Sequence, residues 1–140
     1  MTQERKILKI ISLLTLAWSL VAIVFDVIII TSAVGLGWDT ENTLMVLYTS
    51  FVALFSFYTG VRGAQGANVP SRVGSYTATS LILLLCIAVF LILSVLVNMQ
   101  LEFSGIGQEL PYLLFIVAGL ILNGIGWLYG RKIYNDELNK

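Results

Sequence analysis

The sequence predicts an all-α integral membrane protein, a four-helix bundle with up-down-up-down antiparallel topology. Three observations predict it. The 140 residues are 58% apolar and only 11% charged, with mean hydropathy +0.91, where a soluble domain has about a quarter of its residues charged. The apolar residues form continuous runs, each near the ~20 residues a helix needs to cross ~30 Å of hydrocarbon. All eight Lys and Arg residues fall at one end of those runs. Continuous runs exclude a β-barrel, whose strands alternate.

The charges fix an orientation. Arg5, Lys6 and Lys9 lie at the start of the first run, Arg62 and Arg72 between the second and third, and Arg131, Lys132 and Lys140 follow the fourth. The other two connections carry only Asp39, Glu41, Glu102 and Glu109. Basic residues resist translocation, so both termini are expected in the cytoplasm, with the chain in the plasma (inner) membrane. The net charge of zero conceals this segregation. The basic face suits an anionic leaflet, at ~1 kcal/mol per Lys or Arg. No cluster is dense enough for nucleic acid. The expected partners are the lipid bilayer and either a second copy of the chain or another membrane protein.

One transmembrane domain is expected over residues 1–140, with spans at 7–30, 44–61, 77–97 and 112–129 and a cytoplasmic tail at 131–140. The first run is too long for a signal peptide and lacks a small-residue cleavage pattern. Trp38 and Tyr112 are expected at the outer interface, and Tyr58, Tyr76, Trp127, Tyr129 and Tyr134 at the inner one. The first outer connection, Ser32 to Asp39, reads as a turn, with Thr40 or Asn42 capping the second helix. The second, Ser104 to Pro111, places Pro111 in a first helical turn. The segment from Arg62 to Ser75, glycine-rich and containing Pro70, reads as a cytoplasmic turn. Asn135 to Lys140 reads as a polar tail.

Small residues predict how the helices pack. Ser12, Thr15, Ser19, Ala22 and Asp26 share one face of the first helix, and Thr49, Ala53, Ser56, Gly60 and Gly63 one face of the second. Laid antiparallel, residues whose numbers sum to 75 meet. Small residues permit the close backbone approach that drives association in lipid. Gly119, Asn123, Gly126 and Gly130 repeat the device on the fourth helix. The third is expected to fill that groove with Ile82, Leu85, Val89, Ile92 and Leu96. Val52 is expected to face lipid.

A shift of 70 residues superposes Gly35-Leu36-Gly37 on Gly105-Ile106-Gly107, Asp39 on Glu109, Gly60 on Gly130 and Arg62 on Lys132. Two duplicated helical hairpins are one reading of this coincidence. Turn glycines and interfacial charges common to any hairpin are the other.

Asp26 is the ionisable residue placed well inside a span, roughly 6–9 Å from its outer end at 1.5 Å per residue. Such an acid faces the bundle interior and finds a partner. It is either a proton or cation coupling site, or a polar clamp taking hydrogen bonds from Thr49, Ser50 or Tyr48. Asn123, Ser19 and Ser56 are the polar residues expected in the interior, Asn123 as interhelical glue. Arg62 and Arg72 could hold an anionic headgroup, or simply set topology. Cys86 has no partner for an internal disulfide and no neighbouring base. There is no histidine, no metal-ligand cluster and no serine beside a base. No catalytic residue, metal or cofactor is therefore expected, and no enzyme.

Four spans and a carboxylate in the first of them resemble small multidrug-resistance transporters, a likeness that implies coupling at Asp26. The chain departs from that family in placing Asp26 near the outer end and in its strong charge bias, which opposes dual topology. Gly35-Leu36-Gly37-Trp38 is similar to the first-loop motif of claudin-like tetraspan proteins, but the loop is short and lacks paired cysteines. Neither likeness extends beyond these residues, and the chain is assigned to no family. The expected role is a non-catalytic structural, interaction or accessory component of the membrane. The alternative is a small oligomeric transporter or channel coupled through Asp26.

Overall fold

In hydrocarbon a backbone must satisfy its polar groups internally, and these apolar runs do so as helices. The computed structural model describes residues 2–38, 40–96 and 110–139. Among the described residues are four α-helices and no strand: α1 (Gln3–Leu36), α2 (Thr40–Asn68), α3 (Val73–Leu96) and α4 (Leu110–Leu138). A 3-10 turn, Pro70–Arg72, joins α2 to α3. Three stretches, Gln3–Gly35, Pro70–Ile92 and Leu114–Leu138, are long and apolar enough to cross a membrane. The predicted second span, 44–61, lies inside α2. Asp39, the predicted span end Val97 and the second outer connection over 104–109 lie outside the described residues.

The helices outrun their apolar runs, which corrects two of the predicted connections and the predicted tail. α1 continues through Ser32 to Leu36 and stops at Gly37, whose φ of 100° suits glycine and whose N–H reaches Ala33 O at 2.9 Å. Thr40 is already the first residue of α2, so Asn42 lies within the helix rather than capping it. The predicted turn from Arg62 to Ser75 is helical to Asn68, and only Val69 to Arg72 departs from α-helix. The tail after Arg131 is helical to Leu138. An apolar run marks where hydrocarbon lies, whereas a helix continues until a residue breaks its hydrogen bonds.

α1 and α3 each pack against both α2 and α4. Neighbours run in opposite directions. Asp26 meets Thr49 across α1 and α2. Trp18 meets Phe115 and Glu4 meets Lys132 across α1 and α4. Tyr48 meets Cys86 across α2 and α3, and Gly74 meets Tyr134 across α3 and α4. The polarity is inverted relative to a soluble protein. Ser12, Thr15, Ser19, Ser56, Thr59, Ser80 and Asn123 are buried, while Ile10, Val24, Leu54, Leu85 and Leu114 stand exposed.

The α1–α2 seam follows the small-residue register. A Cβ on Gly63 would collide with Ser12, and one on Gly60 would come 2.8 Å from Leu16 Cγ. The α3 face differs from expectation. Ile82, Leu85, Val89 and Ile92 point outward, and the buried positions are Val73, Tyr76, Ser80, Leu83 and Ile87. Leu96 lies at the last residue of α3. Two aromatic rings fill the glycine groove of α4 instead: Trp18 against Gly119, and Tyr76 against Gly126 and Gly130. Tyr76 is thus a fully buried core residue rather than an interfacial one. Val52 is half-buried against the core, so it is not a lipid-facing position.

The 70-residue shift superposes α2 on α4 end to end, Thr40 on Leu110 and Asn68 on Leu138. It also superposes buried Ala53, Ser56, Gly60 and Gly63 on buried Asn123, Gly126, Gly130 and Ile133. The starts of α1 and α3 coincide too, Gln3 with Val73. Their inward faces do not: buried Ser12 falls on exposed Ile82.

Candidate functional site

Asp26 sits on the α2-facing side of α1. Thr49 Oγ1 donates to its Oδ1 at 2.8 Å, and Ser50 Oγ lies 3.1 Å from Oδ1 and 2.9 Å from Oδ2. The geometry therefore brings together Asp26, Thr49 and Ser50. Tyr48, the third candidate donor, turns the other way, and its phenol donates to the Cys86 carbonyl oxygen on α3. The Thr49 hydroxyl also lies 3.1 Å from Val46 O, so it has an acceptor on its own helix.

A cavity of about 50 Å³ adjoins this cluster. All four helices line it. Its lining is mainly apolar, with Trp18, Phe25, Phe90 and Phe115 along it, and Asp26, Tyr48 and Thr49 are the polar residues that border it. The Trp18 indole is fixed by a hydrogen bond from Nε1 to Phe115 O at 2.8 Å and by stacking on the Phe115 ring at 4.6 Å. Its role had no signal of its own in the sequence. Gly119, which leaves the space Trp18 fills, was the available one.

Below the cavity lies a buried polar layer. Ser12, Gly63, Tyr76 and Gly126, one from each helix, stand at one level, each close to the next. Thr15, Ser19 and Ser56 are buried, and their hydroxyls donate to the Ile11, Leu16 and Val52 carbonyls of their own helices. Asn123 is also buried. Its amide donates to Gly119 O at 2.8 Å within α4, not across a seam, so the expected interhelical bond gives way to an intrahelical one. Among the described residues, four buried polar atoms have no hydrogen-bond partner: Ser12 Oγ, Thr59 Oγ1, Tyr76 Oη and Asn123 Oδ1.

The end of the bundle that holds both described chain ends is closed by Leu8, Ala67, Val73, Tyr76 and Ile133. Arg5 ties it down. Its Nε donates to Ala67 O at 2.8 Å and its Nη2 to Asn68 O at 2.6 Å, taking the last carbonyls of α2. A helix C-terminus leaves such carbonyls without intrahelical partners and carries partial negative charge. In the sequence Arg5 reads only as a topogenic charge, because nothing local links residue 5 to residue 68. Arg62 is helical, with Nε 3.0 Å from Tyr58 Oη and Nη1 3.3 Å from Gln65 Oε1. Arg72 is exposed in the 3-10 turn. The two arginines therefore flank the end of a helix and a three-residue turn rather than one open loop. Among the described residues no group of three His, Cys, Asp or Glu could hold a metal ion. No family model, curated protein or solved structure matches the chain.

Proposed function

We propose that the chain is a non-catalytic, multi-pass component of the plasma membrane, a four-helix bundle with both termini inside, acting in a structural, interaction or accessory role. The observation that carries this reading is how small the cavity beside Asp26 is. The cavity of about 50 Å³ is a fraction of the ~300–1,000 Å³ of a ligand pocket. It is also well below the ~150 Å³ that admits benzene. The neighbouring interior is filled by rings seated on glycines and by a carboxylate bonded to two hydroxyls of the adjacent helix. Such an interior suits a fixed bundle better than one that opens and closes around a substrate. The orientation rests on the segregation of all eight Lys and Arg residues.

Purified chain reconstituted in vesicles tests this. Proton, sodium and potassium fluxes are expected to equal those of empty vesicles. Flux above that level, abolished by Asp26→Asn, would establish the transporter or channel reading instead. Photo-crosslinkers at exposed Leu54 and Leu85 in native membranes should give discrete protein adducts. Adducts to lipid alone would remove the interaction role.

A further inference from the structure

We propose that the face of α2 from Phe51 to Arg62 holds one anionic phospholipid, its phosphate on the Arg62 guanidinium and an acyl chain along the neighbouring rings. Three observations combine. First, Arg62 is set deeper in the bundle than the other described basic residues. It adjoins Gly63, which stands level with Ser12, Tyr76 and Gly126. From that level Lys9 lies three residues before Ser12, Arg72 four before Tyr76 and Arg131 five after Gly126. The next cations are therefore roughly 4–8 Å nearer the end of the bundle, at 1.5 Å per residue. The Arg62 side chain is tied to the turn deeper in the span. Its Nε donates to Tyr58 Oη at 3.0 Å, and its guanidinium carbon stands 5.2 Å from the centre of the Tyr58 ring.

Second, Arg62 carries its charge without a counter-ion from the described residues. Its two partners, Tyr58 Oη and Gln65 Oε1, are neutral. The one ion pair among the described residues joins Glu4 to Lys132. Asp136 and Glu137 lie on α4, diagonal to α2 across the bundle. A cation at the edge of hydrocarbon is costly unless an anion meets it. In a bilayer that anion is a lipid phosphate. The guanidinium N–H groups that Tyr58 and Gln65 leave over form a planar fork for phosphate oxygens.

Third, the rings next to Arg62 make a fixed surface. Phe51, Phe55 and Tyr58 recur four and three residues apart on one face of α2. They touch in series, with ring centres 5.3 and 6.1 Å apart, and Phe51 and Tyr58 stand exposed. The outward residues of α3 are aliphatic instead: Ile82, Leu85, Val89 and Ile92. Aliphatic side chains resemble lipid tails and favour no particular one. Stacked rings have little side-chain entropy to lose when an acyl chain covers them. The inference rests on α2 crossing the membrane between α1 and α3, as the proposed function does, and adds the class of lipid.

The test is native mass spectrometry of the purified full chain in detergent, titrated with phosphatidylglycerol or with phosphatidylcholine of the same acyl chains. One phosphatidylglycerol should bind with a Kd at least about tenfold below that of phosphatidylcholine, and Arg62→Gln should bring the two within about twofold. Arg62→Lys keeps the charge but not the fork, so it should lose at least about threefold of the preference. It decides the matter should Arg62→Gln fail to fold. Arg131→Gln removes the same charge beside another ring, Trp127 at 5.3 Å, and should leave the preference intact. Phe51→Leu with Phe55→Leu should weaken both lipids at least about threefold. Equal Kd for the two lipids in the wild type would overturn the proposal. So would a preference that survives Arg62→Gln or stays whole in Arg62→Lys, or an equal loss in Arg131→Gln, which would make it a general effect of charge. Unchanged binding in the double Leu variant, or displacement of phosphatidylglycerol by cholesterol, which would make the occupant a sterol, would overturn it too. Vesicle flux through Asp26 would overturn the accessory role and leave the lipid site standing. Equal lipid affinities would do the reverse.

Discussion

The phenol oxygen of Tyr76 occupies the place that a Cβ on Gly126 would need. Tyr76 is fully buried, its ring against Gly63 and Gly130 as well, and its hydroxyl has no hydrogen-bond partner. One ring thereby locks three helices, and glycine at 126 is required by the ring rather than by backbone conformation.

Gly126→Ala should destabilise the chain by ~1–3 kcal/mol through overpacking. Tyr76→Phe removes the clashing oxygen together with an unpartnered buried hydroxyl, so alone it should be neutral or stabilising. Combined, the two changes should cost less than their sum. Denaturation of all four species gives the coupling, and strict additivity would show that the two residues do not meet.

The α1–α2 seam gives a second contrast. Ser56→Leu or Gly60→Leu should overpack it by ~1–3 kcal/mol, because both positions are buried and Gly60 lies against Leu16. Leu54→Ala, at a position 65% exposed, should be almost silent. Thermal melts in detergent distinguish the classes, and equal tolerance would remove the seam.

Asp26 links α1 to α2 through hydrogen bonds, so shape and acceptor capacity should govern folding. Asp26→Asn keeps a carbonyl oxygen for Thr49 or Ser50 and should cost under ~1 kcal/mol. Asp26→Leu keeps none and should cost ~1–3 kcal/mol, softened because the Thr49 hydroxyl can turn to Val46 O. Unfolding midpoints ranked wild type, Asn, Leu are expected; Leu matching Asn would show that the hydrogen bonds contribute nothing.

Arg5 caps α2 from sixty-two residues away. Arg5→Ala should free the carbonyls of Ala67 and Asn68 and cost ~1–2 kcal/mol, in the range of other charge-assisted bonds to helix termini. Arg5→Lys should recover only part, since an ammonium lacks the planar fork that reaches both oxygens. Hydrogen exchange in the last turn of α2 should accelerate in both variants, more in Ala. Unchanged exchange would show that Arg5 is only a topogenic charge.

Orientation is tested by cysteine labelling in intact cells at Thr2, Trp38, Asn68, Gln108 and Asn139, in a Cys86→Ala background. External reagent is expected to reach Trp38 and Gln108 alone. Labelling of Asn68 but not Trp38 would reverse the orientation.

The existence of the helices and the α1–α2 register were legible in the residue order. Both follow from local rules: apolar length sets the spans, and a stripe of small residues has one face. Asp26, Thr49 and Ser50 were legible as a cluster for that reason, the acid marking depth and the stripe marking direction. The tertiary structure decided what those rules leave open. On α3 nearly every side chain after Ser80 is apolar, and lipid and interior attract such a surface equally, so periodicity offered no choice between the face of Ile82 and that of Leu83. Packing volume made the choice, since the α4 glycines accept flat rings from Tyr76 and Trp18 rather than branched chains. The Arg5 cap joins the chain's first turn to a helix end sixty-two residues on, a contact that exists only once α1 and α2 lie side by side.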